Sequence, residues 1–450
     1  MKRSPWRYLW ASHDIRRKLL VTIGILVIYR LASHVPVPGV DKEAIASILS
    51  GGGAAGTLLN LLDLLSGGTV SNFSVLAMGV YPYITAQIIL QLLAPIVPAL
   101  QRRMEEDPRE GQKLMEKWTY ILAVPMAVLN AIGQINLFNS FAGRPILENF
   151  GFSGATILPS IATILSMSAG TMFAIWLGEL ISEYGLRNQG LSLIIFAGIV
   201  SRIPVNFAQL MQDEQNRLFL LTFTVLIIAL TIFAIVYVQQ GRRNVPVMYP
   251  GRRMGRRMSM PVKGTLPLMV NMAGMIPLIF AQSLLTFPAI IASFFINAKT
   301  AWVANLATGV QNIFGGNSSA YWILYFLMVV SFTFFYTDVL FAQQNYGENL
   351  KRAGAQIPGV SRGEPTQRYL TRVLRRITLP GALFLGVVAI MPFLVSLILP
   401  TLGLGANFQT GLFLVSSAGL LIVVGVVRDM FFNIDAELKL HGYEDKFLVR

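Results

Sequence analysis

Few side chains in this chain could make or break bonds, and their placement narrows the chemistry further. His13, His34 and His441 are the three histidines, far apart and without an H-E-x-x-H pair, and cysteine is absent. No metal centre, thiolate or disulfide can be built from that set, so no metal and no cofactor is expected. No G-x-x-x-x-G-K-[ST] stretch occurs, so no phosphate-cradling loop hydrolyses nucleotide here, and an enzyme is not expected. Within and beside the long apolar runs the ionisable groups are Arg30 and Arg202 near one kind of end and Glu179 and Asp338 near the other. Proton- and ion-coupled carriers rely on buried acids or histidines, which these runs lack. Their interiors offer amides instead: Gln87, Gln91, Asn130, Asn271 and Gln282. A path lined by aliphatic groups and a few amides cannot select a small ion by charge, whereas an apolar constriction can close it by dewetting. The indicated chemistry is passage.

The elements that must position these residues are membrane spans. The chain has 450 residues, 54% hydrophobic and 13% charged, with mean hydropathy +0.59. Soluble domains carry roughly 25% charged residues, which excludes a soluble enzyme, a disordered chain and a disulfide scaffold. A bilayer-spanning helix takes about 20 apolar residues. Uncharged apolar runs predict ten spans, at 19–39, 74–98, 118–135, 156–178, 190–209, 218–238, 266–295, 321–340, 377–399 and 411–428. The first follows Arg16, Arg17 and Lys18 but ends in Pro36-Val37-Pro38-Gly39 without a small-residue cleavage site, so it reads as a retained span.

Of the 36 Lys and Arg, 30 fall on one side of a ten-span arrangement and five on the other, Lys42, Arg144, Arg202, Arg217 and Lys299, with Arg30 left within the first span. That asymmetry places both termini in the cytoplasm. It accounts for most of the net charge of +14. Two stretches exceed what orientation needs: 241–263 holds seven basic residues and no acid, and 348–376 is long and basic. Clustered arginines suit a docking surface for an acidic or nucleic-acid-bearing partner.

Spans two and seven repeat each other at an offset of 195 residues. Gly79-Val-Tyr-Pro-Tyr-Ile-Thr-Ala-Gln87 lies over Gly274-Met-Ile-Pro-Leu-Ile-Phe-Ala-Gln282, sharing Gly, Pro, Ile, Ala and Gln. Five spans per half force the second copy upside down, and paired Gly/Pro-interrupted spans in inverted halves mark a pathway between them. At this level a secondary transporter with inverted repeats remains open, and a lipid-modifying enzyme would need a His/Asp/Glu cluster that is not visible.

In order along the chain, Arg30-Leu-Ala-Ser-His-Val-Pro-Val-Pro-Gly-Val-Asp41, Leu65-Ser-Gly-Gly68, Met78-Gly-Val-Tyr-Pro-Tyr-Ile84, Gly170-Thr-Met-Phe173, Trp176-Leu-Gly-Glu179 and Ile195-Phe-Ala-Gly-Ile-Val200 occur in the first half. Leu266-Pro-Leu-Met-Val-Asn-Met-Ala-Gly-Met-Ile-Pro277, Phe287-Pro288, Phe334-Phe-Tyr-Thr337 and Glu348-Asn-Leu-Lys351 follow in the second. Together, from about residue 16 to about 430, they resemble the SecY family, pore subunits of the bacterial protein translocase.

The resemblance implies an all-α membrane fold of ten helices in two inverted halves that open like a clamshell. The halves would be 1–210 and 211–430, with a cytoplasmic tail over 431–450. It implies an hourglass path for unfolded polypeptide, its waist an aliphatic ring of Val80, Ile84, Leu191, Ile195, Ile279 and Ile422. A plug is implied over about 60–72, with Asn60, Leu61, Leu62, Asp63, Leu64, Leu65, Ser66, Gly67 and Gly68. Its leucines suit a short helix and Ser66-Gly67-Gly68 would end it. A lateral gate toward lipid is implied, with Gln87, Asn130, Gln282 and Phe287 as lining. Arg252, Arg253, Arg256, Arg257, Lys351, Arg352 and Arg362 would dock the ribosome or the SecA motor, whose energy replaces the missing nucleotide site. Arg362 stands one place later than the arginine of the family's usual Pro-Gly-Ile-Arg-Pro-Gly. Glu183-Tyr-Gly-Leu-Arg-Asn-Gln-Gly190 is one residue longer than the family's loop. The small subunits SecE and SecG, signal sequences, unfolded polypeptide and membrane lipid complete the implied partners, in the bacterial cytoplasmic membrane.

Overall fold

The computed structural model describes residues 13–41, 73–94, 97, 100, 103, 108–142, 146–147, 150–151, 154–186, 189–210, 217–249, 253–254, 257–258, 262–293, 295, 300–314, 318–398 and 417–440. In chain order the helices are α1 (His13–Ala32), α2 (Tyr81–Leu93), α3 (Pro108–Ala142), α4 (Ile157–Tyr184), α5 (Gly190–Leu210) and α6 (Arg217–Gln240). There follow α7 (Ile276–Ser293), α8 (Ala301–Phe314), α9 (Ser319–Gln344), α10 (Tyr346–Arg352), α11 (Glu364–Ile398) and α12 (Ser417–Leu440). Ten of these, all but α8 and α10, overlap the ten predicted spans. Among the described residues, helices within α3, α4, α6, α9 and α11 are long and apolar enough to cross a membrane unaided, while the apolar stretches in α5 and α7 are shorter.

Sequence periodicity misplaces several ends. Span two does not begin at 74: residues 73–80 are a chain of turns, and α2 starts only at Tyr81. Span seven does not begin at 266, because Val262–Met269 is a strand and α7 starts at Ile276. Both helices therefore start 195 residues apart, with Pro82 and Pro277 in their first turns, where a missing N–H costs nothing. Each is preceded by a glycine in the left-handed region, Gly79 at φ 50° and Gly274 at φ 65°, a conformation that penalises any Cβ. The repeated Gly and Pro thus encode one device: irregular backbone that turns into a short helix. In the second copy Asn271 reinforces it, its Oδ1 accepting from the Gly274 N–H at 2.9 Å and its Nδ2 donating to the Gly274 carbonyl at 3.2 Å.

Irregular backbone at membrane depth must find partners inside the protein. Segment 73–80 does so partly against residues 35–37, with Val75 N–H donating to Val35 carbonyl (3.0 Å) and Val37 N–H to Phe73 carbonyl (3.1 Å). On its other side Gly170 of α4 lets the Val75 carbonyl approach so closely that a Cβ there would stand 2.1 Å away.

Each half has its own core. Phe73, Met78, Ala127, Ile135, Phe138 and Met167 pack in the first, and Ile235, Leu278, Leu285, Tyr325, Leu385 and Leu421 in the second. A third cluster draws on both halves. Among the described residues two antiparallel ribbons interrupt the helical architecture: β1 (Arg242–Tyr249) with β4 (Val262–Met269), and the tiny β2 (Arg253–Met254) with β3 (Arg257–Met258). Within the expected basic loop 241–263, residues 242–249, 253–254, 257–258 and 262–263 are therefore strand rather than loop. α12 continues to Leu440, so the tail expected from 431 begins as helix.

Candidate functional site

The shared cluster is the place where the two halves meet. Val80 at the mouth of α2, Ile84 within it, Ile195 of α5, Ile279 of α7 and Ile422 of α12 all belong to it, between 1% and 9% exposed. Leu191 is half-buried and packs against the same group. All six residues named for the ring therefore converge, from four helices and one turn, although up to 342 positions of sequence separate them. Ile84 and Ile279, equivalent in the repeat, each sit three residues after the start of their helix, at Tyr81 and Ile276, so the paired turns at Gly79 and Gly274 set their depth. Branched aliphatic side chains suit such a waist: they exclude water when together and offer no lasting hydrogen bond to a passing chain. All five isoleucine and valine side chains are packed within this one cluster and shielded from solvent.

Beside the cluster, α2 packs on α3, and α7 packs on α3 and α2. Among the described residues a hydrogen bond joins the halves directly: the Tyr81 hydroxyl donates to the Ser283 carbonyl at 3.4 Å, both groups buried. Around this seam several buried polar atoms find no partner among the described residues, among them Asn130 Nδ2 and Gln134 Oε1, one turn apart on α3, and Ser283 Oγ on α7. Of the residues expected to line a gate, Asn130 and Gln282 are buried, Gln87 is half-buried and Phe287 is 40% exposed. Interhelical amide and hydroxyl bonds in membranes are each worth about 0.6–2 kcal/mol, and unsatisfied ones subtract from packing. Tyr81 and Ser283 escaped the sequence reading; a hydroxyl inside an apolar run was the only signal available.

The two basic stretches form one body. Met248 N–H donates to Gln356 carbonyl at 2.8 Å and Gln356 N–H returns the bond at 2.9 Å, so the β1/β4 ribbon and the turn after α10 are stitched edge to edge. Val245, Val247, Leu268, Phe341, Leu350, Ile357, Leu370 and Leu374 give this platform a core of its own. Gly347 N–H, donating to Gln367 Oε1 at 2.8 Å, ties α10 to α11. On this frame Glu348 pairs with Lys351 (3.8 Å) and Arg352 (3.5 Å). Arg362 is exposed between Gly359 and Gly363, which both take positive φ. Arg253 and Arg257 lie on the two short strands at the ribbon tip. Arg252 and Arg256 lie outside the described residues, as does the whole expected plug, Asn60 to Gly68. Among the described residues no group of three His, Asp or Glu side chains could hold a metal ion.

Comparison with known proteins agrees with this arrangement. The SecY family profile matches residues 74–431. The chain is 38% identical over 442 residues to the protein translocase subunit SecY of Aquifex aeolicus, covering 97% of each chain. It is 35% identical over 439 residues to that of Escherichia coli, covering 96% of this chain and 93% of the relative. Among solved structures, one described as a protein conducting channel superposes with a TM-score of 0.63 at 19% identity, covering 97% of this chain and 96% of the other. Another, in which the plug domain of SecY stabilises the closed channel, superposes at 0.64 and 19% identity.

Proposed function

The chain belongs to the SecY family, and on that premise we propose that it is the central subunit of a protein-conducting channel and that the shared aliphatic cluster is the waist of its pore. The observation that carries this reading is the convergence of Val80, Ile84, Leu191, Ile195, Ile279 and Ile422 on the junction of two inverted halves. An unfolded polypeptide entering from the basic face parts these side chains, which close against water around and behind it. Halves 1–210 and 211–430 hinge apart to admit it. A segment apolar enough to prefer lipid leaves between α2–α3 and α7–α9, where Gln87, Asn130, Gln282 and Phe287 line the gate and the Tyr81–Ser283 bond is exchanged for contacts with the signal sequence. Residues 60–72 serve as the plug.

The basic platform faces the cytoplasm of a bacterial inner membrane, with both chain termini and the 431–450 tail on that side, as the 30-to-5 distribution of Lys and Arg supports. Arg252, Arg253, Arg256, Arg257, Lys351, Arg352 and Arg362 receive the ribosome or the SecA motor, which supplies the energy. SecE and SecG complete the complex. The chain itself carries out no bond chemistry.

The test is conductance. With the translocase reconstituted in proteoliposomes, Ile84→Ala together with Ile279→Ala removes bulk from opposite sides of the waist and is expected to raise ion leak. Ile235→Ala, which empties a fully buried site in the core of the second half, is expected to leave the membrane tight. Equal leak from both would remove the cluster from the pathway.

A further inference from the structure

A groove of about 560 Å³ opens between the start of α1 and the end of α4, and the translocation path makes no use of it. Its α1 wall presents Asp14, then Arg17 and Lys18, then Val21, then Ile25, residues spaced by three and four and so on one helix face. At 1.5 Å per residue the stripe runs about 16 Å from acid to isoleucine. The α4 wall runs the opposite way and grades in the same sense, with Leu180 deep and Glu183 and Tyr184 toward the chain-terminal end. The helices are locked beside each other here, since a Cβ on Gly185 would lie 2.3 Å from Thr22 Oγ1. From the membrane surface inward the groove therefore reads acid, base, apolar, apolar.

That order is the order of groups along one phospholipid: ammonium outermost, phosphate beneath it, then glycerol and acyl chain. We propose that this groove binds one phosphatidylethanolamine, with Arg17 and Lys18 on the phosphate, Glu183 and Asp14 on the ammonium, and an acyl chain along Val21, Ile25 and Leu180. Two bases and two acids match a zwitterion, whereas a purely anionic headgroup would meet the bases and be repelled by both carboxylates. Basic pockets alone favour anionic lipid; the paired acids are what distinguish this one. Tyr184, 59% exposed, sits where aromatic side chains favour the headgroup layer.

The test is lipid retention by the intact translocase, reconstituted in equal parts phosphatidylethanolamine and phosphatidylglycerol, extracted in mild detergent and weighed by native mass spectrometry. One phosphatidylethanolamine per complex is expected. Glu183→Lys should lower its retention about tenfold by replacing a charge-assisted partner with a like charge. Leu180→Trp should abolish it by filling the acyl track, with melting temperatures confirming that both variants fold. Free phosphoethanolamine should not displace the lipid; displacement would make this a small-anion site and overturn the proposal. So would preferential retention of phosphatidylglycerol, or retention unchanged in both variants. Because the chain has no cysteine, Tyr184→Cys gives an independent reading: its maleimide labelling should be slower in phosphatidylethanolamine than in phosphatidylglycerol vesicles. Equal rates, as a protein subunit covering the groove would produce, refute it.

Discussion

Replacing Gly170 by alanine sets a general rule against a particular contact. In the interior of a helix such as α4, Gly→Ala should stabilise by up to about 1 kcal/mol. At Gly170 the new Cβ would stand 2.1 Å from the Val75 carbonyl oxygen and 2.7 Å from its carbon, where ordinary contact begins at 3.4 Å. Both obstacles are backbone, so no rotamer change relieves them, and segment 73–80 must retreat by roughly 1.3 Å or α4 must yield. Overpacking of this kind costs about 1–3 kcal/mol, and a backbone clash belongs at the upper end. The net expectation is a destabilisation of about 1–2 kcal/mol, with the sign opposite to helix propensity. Gly24 of α1 is the control, because a Cβ there meets nothing within 4 Å; Gly24→Ala should be neutral or stabilising. Thermal unfolding of the purified translocase reads both. Since the displaced segment carries Gly79 and Val80, Gly170→Ala should also raise ion leak. A Gly170→Ala channel as stable and tight as the parent would refute the close seating of segment 73–80 on α4.

Two further outcomes follow from the seam and the platform. Tyr81→Phe removes the hydroxyl that bridges the halves; at 3.4 Å the bond is long, so the low end of the membrane range, about 0.6 kcal/mol, applies, and open probability in planar bilayers should rise about threefold. Unchanged opening would show that the bond does not latch the gate. Arg253→Glu with Arg257→Glu should weaken ribosome binding and flatten its dependence on salt by about one to two units in the log–log slope if these side chains neutralise phosphates; weakening with an unaltered slope would assign them to protein contacts instead.

Much of the arrangement was legible in the sequence because it rests on residues that break an apolar pattern. Gly79, Pro82, Gly274 and Pro277 interrupt their runs at matching places, and the structure shows why: both glycines take positive φ and both prolines open a helix. Hydropathy could not see where those helices start, since the turns at 73–80 are as apolar as a span, and the irregular backbone is satisfied by distant partners such as Val35. The ribbon of β1 and β4 was hidden for a related reason. Its arginines read as topogenic charge, while the strand pattern depends on Val245 and Val247 packing under Phe341 and Leu374, about a hundred residues away. The Tyr81–Ser283 bond and the mixed-charge groove between α1 and α4 were likewise out of reach, because each is made by segments whose adjacency only the fold creates. Arg362 shows the reverse case: its displacement by one position is visible in the sequence, and the structure places it, exposed, at the turn between Gly359 and Gly363.

The central claim, that polypeptide passes through the aliphatic cluster, is tested most directly by a disulfide. The chain lacks cysteine, so Ile279→Cys and Phe233→Cys each provide one thiol, the first in the buried cluster at 6% exposure and the second on α6 at 72% exposure. A secretory precursor with a single mid-chain cysteine, stalled in transit and mildly oxidised, should bond to position 279 and not to position 233. Bonding at both positions, or at neither while targeting proceeds, would contradict the account.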